Sequence, residues 1–229
     1  MQCIAHRGFA EAYPENTIAA VRGATRSGAD AIEVDVRRSG SGDLVVCHDA
    51  TVERVTDRTG AVADLSAEHL AGLDVLGSGE GVPTLDAVVA ELPEDIGLNV
   101  EVKERGLVAD VHETLAGLEE WWLSSFDSEA LAAARRAWSP TAGGRDSVPT
   151  ALLVGPDAED PIGTAVGLAC RALHPHVDLC TPEFVGAAHD AGLAVNAWTV
   201  RSERTARGLV DAGVDGVIAD APAWCPGDH

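Results

Sequence analysis

Lysine is almost missing from this chain. Of 16 basic residues in 229, only Lys103 is a lysine. Aromatic residues make up 4%, so a core drawn from the 46% hydrophobic fraction must be mostly Val, Leu, Ile and Ala. No apolar run approaches the ~18 residues of a membrane-spanning helix, so no membrane span is expected. No basic leader with an apolar stretch precedes the first strand-like run, and the expectation is a soluble cytoplasmic protein. No G-x-G-x-x-G, G-x-x-x-x-G-K-[ST] or G-x-S-x-G occurs, which removes the usual routes to nucleotide binding and to a serine nucleophile. The five cysteines, Cys3, Cys47, Cys170, Cys180 and Cys225, are odd in number, scattered and without a C-x-x-C. That pattern predicts buried free thiols in a reducing compartment rather than a disulfide framework or a zinc knuckle.

Positive charge is also scarce. Against the 16 basic residues stand 37 acidic ones, for a formal net charge of −21. Such a surface repels nucleic acid and anionic membranes, so no nucleic-acid partner is expected. It repels an anionic substrate too, so a phosphate site here needs local cations. GC-rich codon usage accounts for arginine over lysine but not for the acidic excess. The two together point to a salt-loving cytoplasm, with an ordinary acidic protein as the alternative.

What the chain does have is alternation. Strand-like runs at 2–6, 31–36, 97–103, 121–126, 150–154, 170–174, 193–198 and 214–219 are separated by helical segments. The helices are expected at 17–27, 85–92, 107–118, 128–138, 163–169, 182–191 and 202–212. Several end in glycine (Gly28, Gly192, Gly213), as helix C-termini do. Eight strands with helices between them predict a single-domain (β/α)8 TIM barrel over 1–229. A ninth run, 44–47, follows residue 36 after a turn-rich stretch too short for a crossover helix. It is read as the return strand of a β-hairpin centred near Gly40-Ser41, bringing residue 48 close to residue 33. A parallel strand with a missing helix is the alternative. Residues of about 51–82 carry little barrel pattern and are expected to form a small cap insertion over the mouth. The Gly-rich segment 141–148 reads as a surface loop.

The strands end in reactive side chains, and barrel enzymes build their sites at that rim. Residues two apart on a strand share a face, so Glu33 and Asp35 point one way, as do Asn99, Glu101 and Lys103. Three carboxylates buried together repel unless a cation sits among them, and hard oxygen ligands suit Mg²⁺ or Ca²⁺. Glu33, Asp35 and Glu101 are therefore the candidate metal ligands, against a solvated edge or an arginine ion-pair network. His6 and His48 are the candidate acid and base, because imidazole titrates near neutral pH. Arg7 and Lys103 supply cations for a phosphate. Trp198 offers a flat wall to the rest of a substrate, against burial between barrel and helices. Trp121 and Trp122 are read as core or helix-facing. Of the other histidines, only His174 ends a strand and is a candidate for lining the site.

His6-Arg7-Gly8, Pro14-Glu15-Asn16-Thr17, Glu33-Val34-Asp35-Val36 and His48-Asp49, then Arg54 and Gly60, occur in one order. Pro83-Thr84-Leu85, Glu101-Val102-Lys103, Ser125-Phe126, Trp198-Thr199-Val200 and Gly213-Val214-Asp215-Gly216 follow. In this set, from residue 6 to 220, the chain resembles the glycerophosphodiester phosphodiesterases. The resemblance implies a (β/α)8 barrel with a small insertion, a divalent cation on Glu33, Asp35 and Glu101, and His6 and His48 as general acid and base. It implies Arg7 and Lys103 as phosphate ligands. The implied reaction is hydrolysis of a small-molecule glycerophosphodiester to glycerol 3-phosphate and an alcohol. Ala219-Asp220 departs from the family's usual Thr-Asp, and Arg37-Arg38-Ser39 from its more common ending. A related barrel phospholipase of the lysophospholipase D kind ranks second, because the insertion is acidic and polar (Glu53, Asp57, Asp64, Glu68). A non-catalytic phosphate-ligand binder ranks third.

Overall fold

The structure is a computed structural model and describes residues 1–137 and 148–226. The loop expected over 141–148 lies outside the described residues apart from Val148, as do Trp138 and His229. Among the described residues, nine strands form one sheet: β1 (Gln2–Ala5), β2 (Ala31–Arg38), β3 (Leu44–Val46), β4 (Gly97–Val102), β5 (Trp121–Ser125), β6 (Thr150–Val154), β7 (Ala172–Pro175), β8 (Ala194–Val200) and β9 (Gly216–Ala219). Every strand but β3 runs parallel to its neighbours, and a β1–β2 pairing closes the ring. The barrel has eight parallel strands, as the alternation predicts.

The helices are α1 (Ile18–Arg26), α2 (Ala67–Ala71), α3 (Leu85–Glu91), α4 (Val108–Leu115), α5 (Ser128–Ala137), α6 (Pro161–Gly167), α7 (Pro182–Asp190) and α8 (Glu203–Ala212). Local chemistry starts them. The hydroxyls of Thr17, Thr84, Thr181 and Ser202 each accept a backbone N–H three residues on. The Asp160 carboxylate does the same for α6, with Pro161 at the first helical position. That cap starts α6 two residues before the expected 163. All but α2 are barrel helices, and after β9 the described chain has only a short 3₁₀ turn, Pro222–Trp224.

Strand parity sorts side chains into two layers. Cys3, Ala5, Ile32, Val34, Val36, Leu98, Val100, Leu123, Val217 and Ala219 face outward and join the helices in the main core. The opposite parity lines the barrel interior, where Ile4, Ala31 and Ile218 pack with Trp122 and Trp198. Trp121 is on the outer parity and meets His112 of α4 edge-on.

The hairpin forms, in a register one residue from the expected one. Val36 pairs with Val46 and Arg38 with Leu44. The ladder stops at Val46, so His48 lies just beyond it. Along β3, Leu44 and Val46 face the main core, whereas Val45 and Cys47 face the insertion. The insertion has its own small core: Val52, Val55, Val62, Leu70, Leu73, Val75 and Val82 close over Val45 and Cys47. It therefore stands against the outer side of the hairpin and supplies no side chain to the cavity at the mouth.

Cysteine chemistry departs from expectation. Cys3 and Cys225 form a disulfide, while Cys47, Cys170 and Cys180 are free. Both halves face the outer layer, where Trp224 and Cys225 pack on the main core. No spacing rule links residues 222 apart, and the bond removes the thiol argument for a reducing compartment. It ties the end of the described chain to the first strand. By loop entropy a closure this long stabilises the fold by up to about 5 kcal/mol. Cys225→Ser should lower the melting temperature and leave kcat unchanged, because Cys3 points away from the barrel interior. A melting temperature equal to wild type under non-reducing conditions would show that the bond does not form in solution.

Candidate active site at the barrel mouth

Parallel register brings the acidic residues together. In the β2–β4 pair Glu33 lies beside Asn99 and Asp35 beside Glu101. Their parity is inward, so the carboxylates of Glu33, Asp35 and Glu101 converge, each offering an oxygen within 4.8 Å of the others. All three are buried. Glu33 Oε1 has no hydrogen-bond partner. An orphaned buried acceptor within an all-carboxylate donor set fits a hard divalent cation. The ion-pair network weighed from the sequence is present as well. Lys103 Nζ is 2.5 Å from Glu101 and 3.3 Å from Asp35, and Arg7 Nε is 3.3 Å from Asp35.

Backbone shape puts Arg7 there. The strand β1 ends in a tight turn, His6–Gly8, in which Arg7 has φ 51°. The turn aims the Arg7 N–H at Glu33 Oε2, 2.9 Å away. Gly8 follows at φ +78°, and a Cβ on it would lie 2.6 Å from the Ala20 Cβ. Only glycine fits both demands.

Charge sharing pushes the carboxylates apart in acidity. Burial, then Asp35 and Glu101, raise Glu33 well above the usual carboxylate range. Burial and Asp35 raise Glu101 to about 7, against the opposing pull of Lys103. Burial also acts to raise Asp35, but Lys103 and Arg7 outweigh it and hold that group down at about 2. Burial would lower Lys103, yet Asp35 and Glu101 keep it raised and charged. Burial lowers His48, helped by Arg7 and Lys103 and opposed by Asp35 and Asp49.

Both histidines reach the mouth, and each carries a partner that sequence reasoning assigned no role. His6 Nδ1 bonds Asp220 Oδ1, and its Nε2 is 4.0 Å from Glu33. His48 Nδ1 bonds Asp49 Oδ1 at 2.6 Å, while Arg37 Nε donates to the His48 carbonyl. A carboxylate only accepts, so each Nδ1 carries the proton when the ring is neutral, and Nε2 is left for chemistry. Asn16 was also missed: its amide donates to Asp35 Oδ2 at 2.8 Å. So was Glu15, which accepts from Arg7 at 3.0 Å. The signal for both was the Pro14–Thr17 motif. Spacing alone does not join residue 16 to 35 or 6 to 220.

The cavity has a volume of about 120 Å³, lined by His6, Arg7, Glu33, His48, Asn99, Glu101, Lys103 and Trp198 among others. Trp198 sits where β8 bulges against β9, between Ala197 and Val200, and a bulge re-aims a side chain. Its indole donates to the His174 carbonyl at 2.8 Å and meets Phe126 and His176 edge-on. Trp198 thus lines the cavity, and Phe126 is a second aromatic at the rim. His174 does not line the cavity. Strand β7 runs one residue past it, leaving the ring fully buried inside the barrel against Asn196. Burial drops its pKa to about 3.

These features define a class: a (β/α)8 barrel whose mouth holds an acidic cluster, two flanking cations and two carboxylate-backed imidazoles. Comparison with known proteins narrows it. The model of the glycerophosphoryl diester phosphodiesterase family matches residues 6–224, and the chain belongs to that family of phosphoric diester hydrolases. It is 33% identical to a glycerophosphodiester phosphodiesterase of Caldanaerobacter subterraneus, over 96% of this chain and 93% of the relative. One from Bacillus altitudinis is 29% identical over 95% and 94%. A phosphodiesterase of Oleispira antarctica, solved with its product sn-glycerol-3-phosphate, superposes with a TM-score of 0.87 at 29% identity, covering 97% of this chain and 94% of that one. Among the described residues, no helix is long and apolar enough to cross a membrane.

The raised Glu101 has a measurable consequence. Its folded pKa of about 7 lies above its unfolded value near 4.5. The folded state therefore holds more protons between those values, and its contribution is present below pH ~4.5 and lost as pH rises through about 7. In excess chelator, wild-type stability should fall across that window relative to Glu101→Gln. Parallel melting curves for the two proteins would contradict the assignment.

Proposed function

We propose that this chain hydrolyses glycerophosphodiesters to glycerol 3-phosphate and an alcohol, using one Mg²⁺ or Ca²⁺ held by Glu33, Asp35 and Glu101. The observation that carries the reading is the buried carboxylate triad, with its orphaned Glu33 oxygen, beside two imidazoles each bound through Nδ1 to a carboxylate. When bound, the cation supplies Lewis-acid charge at the phosphoryl oxygens. Arg7 and Lys103 hold the phosphate, and their charge is fixed in advance by Asp35 and Glu101. One of His6 and His48 takes the proton of the nucleophile, and the other protonates the leaving alcohol. Trp198 and Phe126 wall the part of the substrate that does not react. In this reading residues 1–229 are one domain, and the insertion supports the hairpin that carries His48.

A second reading, a barrel phospholipase acting on lysolipid phosphodiesters, has one observation in its favour. Phe126 is 50% exposed at the rim. It borders a neighbouring groove of about 440 Å³ with Leu152, Leu153, Val154 and Pro156 in its walls. The acidic insertion, which counted against this reading, does not line the cavity.

The deciding assay measures glycerol 3-phosphate and alcohol release from a panel of glycerophosphodiesters and lysophospholipids, with and without chelator. Turnover of the glycerophosphodiesters should vanish in excess EDTA and return with a divalent cation. His6→Ala and His48→Ala should each lower kcat by ~10²–10⁴-fold. Full activity after extensive dialysis against EDTA would overturn the metal's role. A wild-type rate in either histidine variant would make that residue structural, and faster lysophospholipid turnover would favour the second reading.

A further inference from the structure

Arg54 comes from the insertion, outside the cavity lining, yet it touches the groups behind two site residues. Its Nε donates to Asp49 Oδ2, and Asp49 Oδ1 bonds His48 Nδ1. Its two terminal nitrogens grip Glu15, NH1 on Oε2 at 2.7 Å and NH2 on Oε1 at 2.8 Å. Glu15 Oε1 also accepts from Arg7 NH1. One guanidinium thus joins the partner of His48 to the partner of Arg7. The planar fork of arginine can satisfy two carboxylates in fixed directions, which a lysine ammonium cannot reproduce.

Two further observations point to a role in the site. The backbone at Arg54 is anchored by its neighbours, because Val52 and Val55 are buried in the insertion's core. The guanidinium itself is 46% exposed, and ion pairs of that kind contribute little to stability. The arrangement is also repeated. Asp220 offers Oδ1 to His6 Nδ1 and Oδ2 to Arg201 Nε, atom for atom as Asp49 does for His48 and Arg54. Residues 49–54 and 201–220 come from opposite ends of the chain, so the repetition is not a local turn motif.

We propose that Arg54 is a positioning residue for hydrolysis: from the insertion, it holds the carboxylates behind His48 and Arg7 in one fixed arrangement. The proposal rests on the proposed roles of His48 and Arg7. Through Asp49 it keeps the His48 proton on Nδ1. Through Glu15 it fixes the guanidinium of Arg7 over the carboxylate cluster.

The test uses the full chain with saturating divalent cation and a glycerophosphodiester that wild type turns over. Arg54→Met should lose roughly 10–100-fold in kcat/KM, the range for a residue that orients a site ligand. Arg54→Lys should recover only part of that. The Arg54→Met/Asp49→Asn double variant should be much less than multiplicatively slower than the two single variants, since both break the Arg54–Asp49 linkage. In ¹⁵N spectra the His48 ring should show Nδ1 protonated in wild type and a mixture of tautomers in Arg54→Met. Should Arg54→Met fail to fold, Asp49→Asn, nearly the same shape, tests the same linkage through rate and tautomer. An unchanged rate together with an unchanged His48 spectrum would overturn the proposal. So would multiplicative losses in the double variant. If His48→Ala itself keeps the wild-type rate, the proposed function fails first; if His48→Ala is inactive and Arg54→Met is not, only the present inference falls.

Discussion

Three carboxylates share one buried space at the mouth of this barrel, and much else in the molecule answers to their repulsion. Unscreened like charges this close in a low-dielectric site are costly. The chain meets that cost in three ways. It places Arg7 and Lys103 against Asp35, and Lys103 also against Glu101. It directs neutral donors, the Arg7 backbone N–H and the Asn16 amide, at Glu33 and Asp35. It leaves two of the three acids with raised pKa values, so that they ionise reluctantly. The single lysine of an arginine-rich chain stands at this point, where a compact ammonium can touch two carboxylates on neighbouring strands.

The scaffold makes that concentration of charge tolerable. Parallel strands in register put Asp35 beside Glu101 without any loop having to fold to do it. Outward-facing Val34, Val36, Val100 and Val102 of the same two strands are buried under the helices. Their burial, of order 1.5–3 kcal/mol for each large apolar side chain, offsets the charge on the interior face. The insertion adds a separate small core on the far side of the hairpin, so the segment leading to His48 is held from both sides.

Period-two patterning made the strands legible, because each alternates between a core-facing set and an inward set. The same alternation placed Glu33, Asp35, Asn99, Glu101 and Lys103 on one face; the structure has four of them lining the cavity, with Asp35 buried beside Glu33 and Glu101. Reading failed where the relation was long-range. Asp220 behind His6, and Cys3 bonded to Cys225, join residues more than 200 apart, and no local pattern encodes either. His174 was misread by a single residue of strand length, enough to turn a rim position into an interior one. The insertion was legible only as an absence of barrel pattern: its buried valines and leucines follow neither a helical nor a strand period. Nothing in that pattern marked Arg54, which reaches from the insertion to Asp49 and Glu15.

On the proposed function, Glu33, Asp35 and Glu101 form one divalent-cation site. Titrating the chelator-treated protein with Mn²⁺, followed by electron paramagnetic resonance, tests it without reference to turnover. One ion should bind per chain, Mg²⁺ or Ca²⁺ should displace it, and Glu33→Gln should weaken it by at least tenfold while the fold is retained. Absence of stoichiometric binding, or binding that Glu33→Gln leaves unchanged, would contradict the account.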